Sequence, residues 1–405
     1  MTTLTHCLPG GSLGSFGIPT PRVDSSLIRV DNPSSGLRRG RVILLPGIGG
    51  STAASPFWEN NFDGNAFRAA LNADGWQTVQ ASGVPQNGLQ WAQMNGQPYG
   101  GIATTYGGEP TAAPGCLADI TNDSGNGARL LATCLHHFDH VYQWAEDNYG
   151  TMPAVVVGES WGGWLACQVA LARASGVYPV KAVYSHNTPN DFSDLNPGVG
   201  VYVLLGGWQQ QGSAAYAGMN LVSTSLNGVT IPLRVTWGYL DNVVTGGNGT
   251  NAPPIDCMNM VANASLATGG TVQSGSSTVS SGQTGVDTNG AAWLAGTGTL
   301  GLSSIAGFSA SGGNAVITGL GGAGTVAFSY SGYSGTTLQG CSTAVAPPGI
   351  TTDLVTGALV QTLVAAGGRV TGAGMLSDHG WGVPETTDAL AWFTGAVDPL
   401  FPKVY

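Results

Sequence analysis

Charge is scarce in this chain, and lysine is scarcer still. Only 8% of its 405 residues are Asp, Glu, Lys or Arg, against about a quarter in an average globular protein. Lysine occurs only at Lys181 and Lys403. The 22 acidic residues outnumber 12 basic ones, and the net charge of −10 excludes the basic stripe that a nucleic-acid ligand demands. No apolar run approaches the length of a membrane span, and the first residues lack the charged and apolar regions of a signal peptide. Metal-ligand spacing is equally thin. His136 and His140 have the i, i+4 spacing of a zinc pair, but no Glu stands between them in the metalloprotease pattern. A solvated or capping role is expected for them, and neither a metal nor a cofactor is expected anywhere. The six cysteines are an even number, which permits disulfides without establishing an oxidising compartment.

Glycine, by contrast, is abundant at 65 residues, so chance matches to G-x-S-x-G are expected. Gly10-Gly11-Ser12-Leu13-Gly14 is one, with no apolar strand before the serine and no helix after it. Ser160 stands in a different context. The β-branched run Val155-Val156-Val157 leads into Gly158-Glu159-Ser160-Trp161-Gly162-Gly163-Trp164, where a helical pattern begins. A strand turning sharply into a helix holds a serine Oγ clear of the backbone beside a helix N-terminus, and small residues on either side relieve the crowding.

The elements around Ser160 alternate. Arg41-Val42-Ile43-Leu44-Leu45 reads as a buried parallel strand ending in the turn Pro46-Gly47-Ile48-Gly49-Gly50-Ser51. Residues 62–73 predict a helix, Trp76-Gln77-Thr78-Val79 a strand, and 127–149 a long helix stopped by Gly150. A helix follows Ser160 to about residue 175. Later, Leu233-Arg234-Val235-Thr236-Trp237 is a strand that leaves through Gly238-Tyr239-Leu240-Asp241. An amphipathic helix is expected over 353–366, then a short strand at Arg369-Val370-Thr371, the loop Asp378-His379-Gly380-Trp381-Gly382, and a closing helix at about 385–393. Strand and helix in this rhythm imply a mostly parallel sheet flanked by helices.

Serine, acid and histidine in that order suit nucleophilic acyl transfer. His379 is the candidate base and Asp241 the carboxylate that orients it. Asp191, after the strand that follows the nucleophile helix, and Asp378, beside the histidine, are alternatives. Asp378 ranks lower because sequence neighbours point apart. His186 is a candidate pocket residue, His6 lies in the N-terminal segment read as irregular, and Trp161 and Trp164 either shape an acyl pocket or pack under the sheet.

These motifs together resemble the α/β-hydrolase superfamily of esterases, lipases and peptidases. Gly158-Glu159-Ser160-Trp161-Gly162-Gly163 resembles its nucleophile elbow and Gly238-Tyr239-Leu240-Asp241-Asn242-Val243-Val244 its acid turn. His379-Gly380-Trp381 resembles the histidine loop of dienelactone-hydrolase and prolyl-peptidase relatives. The likeness covers roughly residues 40–245 and 350–400. It implies a serine hydrolase whose oxyanion hole is made by the N–H groups of Ile48, or its neighbour Gly49, and Trp161. Pro46 stands where many members carry a histidine.

Residues 1–40 read as an extended N-terminal arm, and 41–245 with 350–405 as the α/β-hydrolase core. Asp241 and His379 are 138 positions apart, far more than one crossover helix needs. From Val244 to Ile350 the only charged residues are Asp256 and Asp287. Residues 246–349 are therefore expected to form an inserted Gly/Ser/Thr-rich antiparallel β-domain, with Trp293, Leu302, Ile305, Phe308, Val316 and Tyr330 in its core. Cys257 and Cys341, near its ends, are a candidate disulfide. The expected substrate is a carboxylic ester, lipid- or glycan-linked ones included. The rival reading is a structural or adhesive phage virion (tail) protein on a hydrolase scaffold, assembling through the arm and the insert. An extracellular or virion-associated location fits both.

Overall fold

The computed structural model describes residues 2–8, 24–34, 36, 38–45, 47, 66–81, 126–190, 220–241, 255–280, 296–318, 326–343 and 357–403. Its N-terminal residues are part of the sheet rather than an irregular arm. β1 (Thr2–Leu8), which holds His6, pairs antiparallel with β2 (Asp24–Asp31) from Thr2 opposite Val30 to Leu8 opposite Asp24. The sequence here shows no apolar alternation. An edge strand needs none, because its stability comes from backbone pairing with a sheet already formed.

The centre of the sheet is built from aliphatic runs. β3 (Gly40–Leu45) is buried at every position, as is β5 (Ala154–Glu159), which is what a strand covered on both faces requires. β4 (Trp76–Ala81) lies parallel to one edge of β3 and antiparallel to β2, and β5 lies parallel to the other edge of β3. β6 (Val180–His186) and β7 (Leu233–Gly238) continue in parallel. Successive residues of β5 face opposite layers. Val156 joins the core with Phe138, Tyr142, Trp164 and Val261, while Val155 and Val157 join Phe67, Trp76, Trp392 and Phe393. The first layer carries α2 (Asn126–Tyr149), α3 (Trp161–Ala172) and α4 (Ile255–Ala267). The second carries α1 (Ala66–Ala73) and α5 (Val383–Trp392).

The remaining strands are antiparallel to their neighbours, save the last one at its junction with β7. They are β8 (Thr271–Thr278), β9 (Gly298–Gly301), β10 (Gly313–Thr318), β11 (Val326–Tyr330), β12 (Gly332–Ser334), β13 (Thr337–Cys341), β14 (Leu359–Ala366) and β15 (Val370–Met375). β15 pairs parallel with β7, Val370 beside Leu233 through Met375 beside Gly238. The large sheet runs β1-β2-β4-β3-β5-β6-β7-β15-β14-β10-β11, with β8 also on β14, and β12-β13-β9 form a second, antiparallel sheet. Strands of one direction from β4 to β15, the exchanged order of β3 and β4, and helices on both faces make this an α/β-hydrolase fold carrying additional antiparallel structure.

Two expectations change. Residues 359–366 form β14, not part of a helix. Its apolar spacing is compatible with either state, and the choice is made by three strands that supply its partners, β8 along its whole length and β10 and β15 toward its two ends. The Cys257–Cys341 clamp does not form either. Both are free thiols, Cys257 in the main core on α4 and Cys341 in a separate cluster with Leu300, Phe328 and Leu338. Trp293 and Asp287 lie outside the described residues.

The extra strands share the main core. On β10, Val316 faces the core of the large sheet while Ala315 and Ile317 face the second cluster, and on β14 Leu363 and Val360 divide the same way. α4, inside the 246–349 span, also packs in the main core through Met260, Val261 and Ala264.

Arg41 illustrates how a chain with few charges uses one. It is fully buried on β3 and donates to Gln77 Oε1 at 2.8 Å and to the carbonyls of Ala145 at 2.9 Å and Gly150 at 3.1 Å. It therefore holds the C-terminal end of α2 against the sheet. Arg41→Ala would leave two buried acceptors and one part-buried acceptor without their donor. The expected loss is about 2–4 kcal/mol, to be read from urea unfolding followed by tryptophan fluorescence.

Candidate active site

Parallel strands end on one side of the sheet, and loops leaving those ends meet there. Ser160 follows β5 directly with φ 56° and ψ −123°, a conformation that costs a non-glycine residue about 1–3 kcal/mol. The neighbours enforce it. A β-carbon on Gly158 would overlap the Gly162 carbonyl, and one on Gly163 would lie 2.6 Å from the His186 carbonyl oxygen. Ser160 N–H donates to that same His186 carbonyl at 2.8 Å. Strand, turn and helix are locked in contact, and the hydroxyl stands at the start of α3.

Asp241 ends the turn after β7, and His379 lies four residues beyond β15. His379 Nδ1 is 2.8 Å from Asp241 Oδ2, and Nε2 is 2.8 Å from Ser160 Oγ. With Asp241 ionised, Nδ1–H donates to the carboxylate, which leaves Nε2 to accept the serine proton. The Asp241 side chain is 2% exposed and that of His379 22%, so the acid is shielded while the ring has access to solvent. The three residues singled out from sequence are thus brought together. Asp378 is exposed and accepts the N–H of Gly380 instead. Asp191 lies outside the described residues, as do Ile48 and Gly49.

The start of the β3 loop is seen at Gly47, where a β-carbon would come within 3.0 Å of Ser160 Cβ. The backbone leaving β3 thus passes against the nucleophile. Trp161 is the first residue of α3, whose N–H has no partner within the helix. The indoles of Trp161 and Trp164 are buried in the main core with ring centroids 5.1 Å apart, so they pack beneath the sheet edge. The backbones of His136, His137 and His140 lie in α2, and their side chains are outside the described residues. Among the described residues, no group of three or more His, Cys, Asp or Glu is arranged to hold a metal ion, and no helix is long and apolar enough to cross a membrane.

Behind the triad lies a polar layer with no signal in the motifs. Glu159, His186 and Glu385 are all buried. His186 Nδ1 is 2.9 Å from Thr236 Oγ1, and Thr236 donates to Tyr184 Oη at 3.2 Å. Tyr184 donates in turn to Asp388, which also receives a two-pronged bond from Arg234. Glu385 Oε2 accepts the N–H of Gly382 at the start of α5, and its Oε1 is 3.8 Å from His186 Nε2. Burial lowers the His186 imidazole from its ordinary value against the pull of Glu385 and Asp241. Burial also pushes the Glu159 carboxyl well above 4.5, reinforced by the charges of Glu385, Asp241 and Asp378. The shift favours the neutral form of Glu159 in this charge-poor interior, where an uncompensated anion is costly.

No protein-family model and no curated protein matches the chain. Solved structures do match. The esterase domain of a Rhodothermus marinus protein is 16% identical with a TM-score of 0.34, over 65% of this chain and 84% of that one. An esterase of Pyrococcus furiosus is 10% identical with a TM-score of 0.35, over 66% and 79%. An acylaminoacyl peptidase of Pyrococcus horikoshii is 10% identical with a TM-score of 0.38, over 66% of this chain but only 36% of that one. The chain therefore spans about a third of the peptidase's length. The fold assignment itself rests on strand order and the elbow.

The raised Glu159 carboxyl has a thermodynamic consequence. The folded protein keeps a proton that the unfolded chain releases once pH passes the ordinary value of 4.5. The stability this group contributes is fully present below that pH and is lost as pH climbs toward the folded value. Glu159→Gln retains the neutral shape without the titration. Its Tm relative to the native protein should rise as pH climbs above 4.5, and a difference independent of pH would mean that the fold does not raise the Glu159 carboxyl.

Proposed function

We propose that the protein is a serine hydrolase that cleaves a carboxylic ester through an acyl-enzyme. The observation that carries this reading is the continuous chain from Ser160 Oγ to His379 to Asp241, each link 2.8 Å, on a strained elbow at the start of a helix. Ser160 attacks the acyl carbon while its proton passes to His379 Nε2, and Asp241 stabilises the imidazolium that results. Negative charge developing on the carbonyl oxygen is met by the N–H of Trp161 and by that of Ile48 in the β3 loop. When the tetrahedral intermediate collapses, the alcohol leaves with the proton from His379. Water then attacks the acyl-enzyme as its proton passes to the same nitrogen, and His379 returns that proton to Ser160 Oγ as the acid is released. An ester suits this apparatus because an alkoxide leaves more readily than an amine, so cleavage places less demand on the general acid. No group identified in the site would hold the charged terminus of a peptide.

Reaction with a fluorophosphonate probe tests the reading without knowledge of the substrate, because phosphonylation requires an activated serine. The native protein should label and Ser160→Ala should not. On short p-nitrophenyl esters, kcat should fall by roughly 10⁴–10⁶-fold for Ser160→Ala or His379→Ala and by about 10⁴-fold for Asp241→Asn. A folded native protein that fails to label would overturn the enzymatic reading. It would turn attention to a structural role for the scaffold, the virion reading included, with the antiparallel strands as the binding element.

A further inference from the structure

The loop leaving β6 touches all three segments that carry the triad. The carbonyl of His186, the last residue of β6, accepts the N–H of Ser160 at 2.8 Å. The next residue, Asn187, spans the other two. Its Oδ1 accepts the N–H of Gly238, at the end of β7 three residues before Asp241, at 2.7 Å. Its Nδ2 donates to the carbonyl of Asp378, the residue before His379, at 3.0 Å. Its own backbone N–H donates to the Thr236 carbonyl at 3.0 Å. Asn187 is 1% exposed, so it does not touch substrate. Apart from Ser160, it is the only described non-glycine residue with a positive φ, at 49°.

Three independent demands meet at this position. One planar group must accept from an amide N–H and donate to a carbonyl, which the neutral amides of Asn and Gln do at any pH. The group must reach both partners from a chain immediately beyond a strand end, which favours the shorter of the two. The backbone must also enter the left-handed region, which Asn tolerates better than other residues with a β-carbon. The acid turn and histidine loop pack so closely here that a β-carbon on Gly238 would overlap the Asp378 carbonyl. A bridge between them therefore governs where His379 stands relative to Asp241.

We infer that Asn187 is a positioning residue for acyl transfer, registering the histidine loop on the acid turn so that His379 meets Asp241 and Ser160 together. The inference rests on the proposed roles of those three residues. It predicts a specific defect. A histidine displaced by a fraction of an ångström still sits in a folded protein that binds substrate, but proton transfer is lost, and such misplacement costs up to about 10²-fold.

The full chain is tested as Asn187→Asp, Asn187→Gly and, as a control on the exposed face of α4, Asn263→Asp. Asn187→Asp keeps the acceptor for Gly238 and sets an oxygen against the Asp378 carbonyl. Asn187→Gly removes both bonds but accepts the positive φ without strain, so one variant remains informative if the other does not fold. Each is confirmed as folded by near-ultraviolet circular dichroism, then measured for fluorophosphonate rate constant and for kcat and KM on p-nitrophenyl butyrate. The expected result is a roughly 10–100-fold fall in kcat and in the phosphonylation rate, with KM within about twofold and Asn263→Asp unchanged. Native rates in folded Asn187 variants, or a loss confined to KM or to Tm, would overturn the inference while leaving the hydrolase reading intact. A native protein that does not label at all removes that reading, and the inference with it.

Discussion

The backbone of α3 runs so close above Gly158 that no side chain fits between them, and this contact dictates the geometry at the end of β5. The chain leaves the strand without room to turn gradually, so Ser160 takes up the strain as a positive φ. Its side chain is thereby held away from both strand and helix, at a helix N-terminus. Moving α3 outward by the width of a methyl group would relax the turn and lower the hydroxyl from the position where His379 reaches it. The buried packing of α3 against β5 and β6 is what resists that movement. Every residue from Trp161 to Ala170 is buried.

The parallel sheet supplies the second half of the site. β5, β6, β7 and β15 are adjacent and run the same way, so the residues just past their ends, Ser160, Asn187, Asp241 and His379, fall along one edge. The separation of 138 positions between Asp241 and His379 imposes no distance, because β15 returns to the edge of β7 in register. What the intervening chain adds is a set of antiparallel strands that borrow the sheet's own edge. Its strands β10 and β14 each serve two cores, which ties the addition to the strand that precedes the histidine loop. Tyr239, in the acid turn, accepts the N–H of Leu363 on β14 at 3.2 Å, and Asn314 on β10 donates to the Gly374 carbonyl on β15 at 2.9 Å.

The scarcity of charge has a structural counterpart. Buried Arg41 is held by two carbonyls and Gln77, and half-buried Arg234 by a two-pronged bond to Asp388. Near Ser160, burial and the charges of Glu385, Asp241 and Asp378 raise the Glu159 carboxyl, which favours its neutral form.

The local sequence determined the elements whose two faces are both apolar and the residues in strained or turn positions at their ends. The run before Ser160, the strand before Asp241 and the loop holding His379 were legible because each is a short stretch with its own chemistry. Their order along the chain singled out Ser160, Asp241 and His379 as candidates, with Asp191 and Asp378 as alternative acids. Tertiary structure alone decided the rest. Residues 359–366 became a strand because three strands supply their partners, a circumstance no local pattern encodes. β1 and β2 joined the sheet through backbone pairing, which leaves little mark on side-chain pattern. Cys257 and Cys341, each near one end of the same segment, were separated into different cores. Asn187 carries no motif, because its side chain bridges groups 51 and 191 positions away that meet only when the parallel strands align their ends.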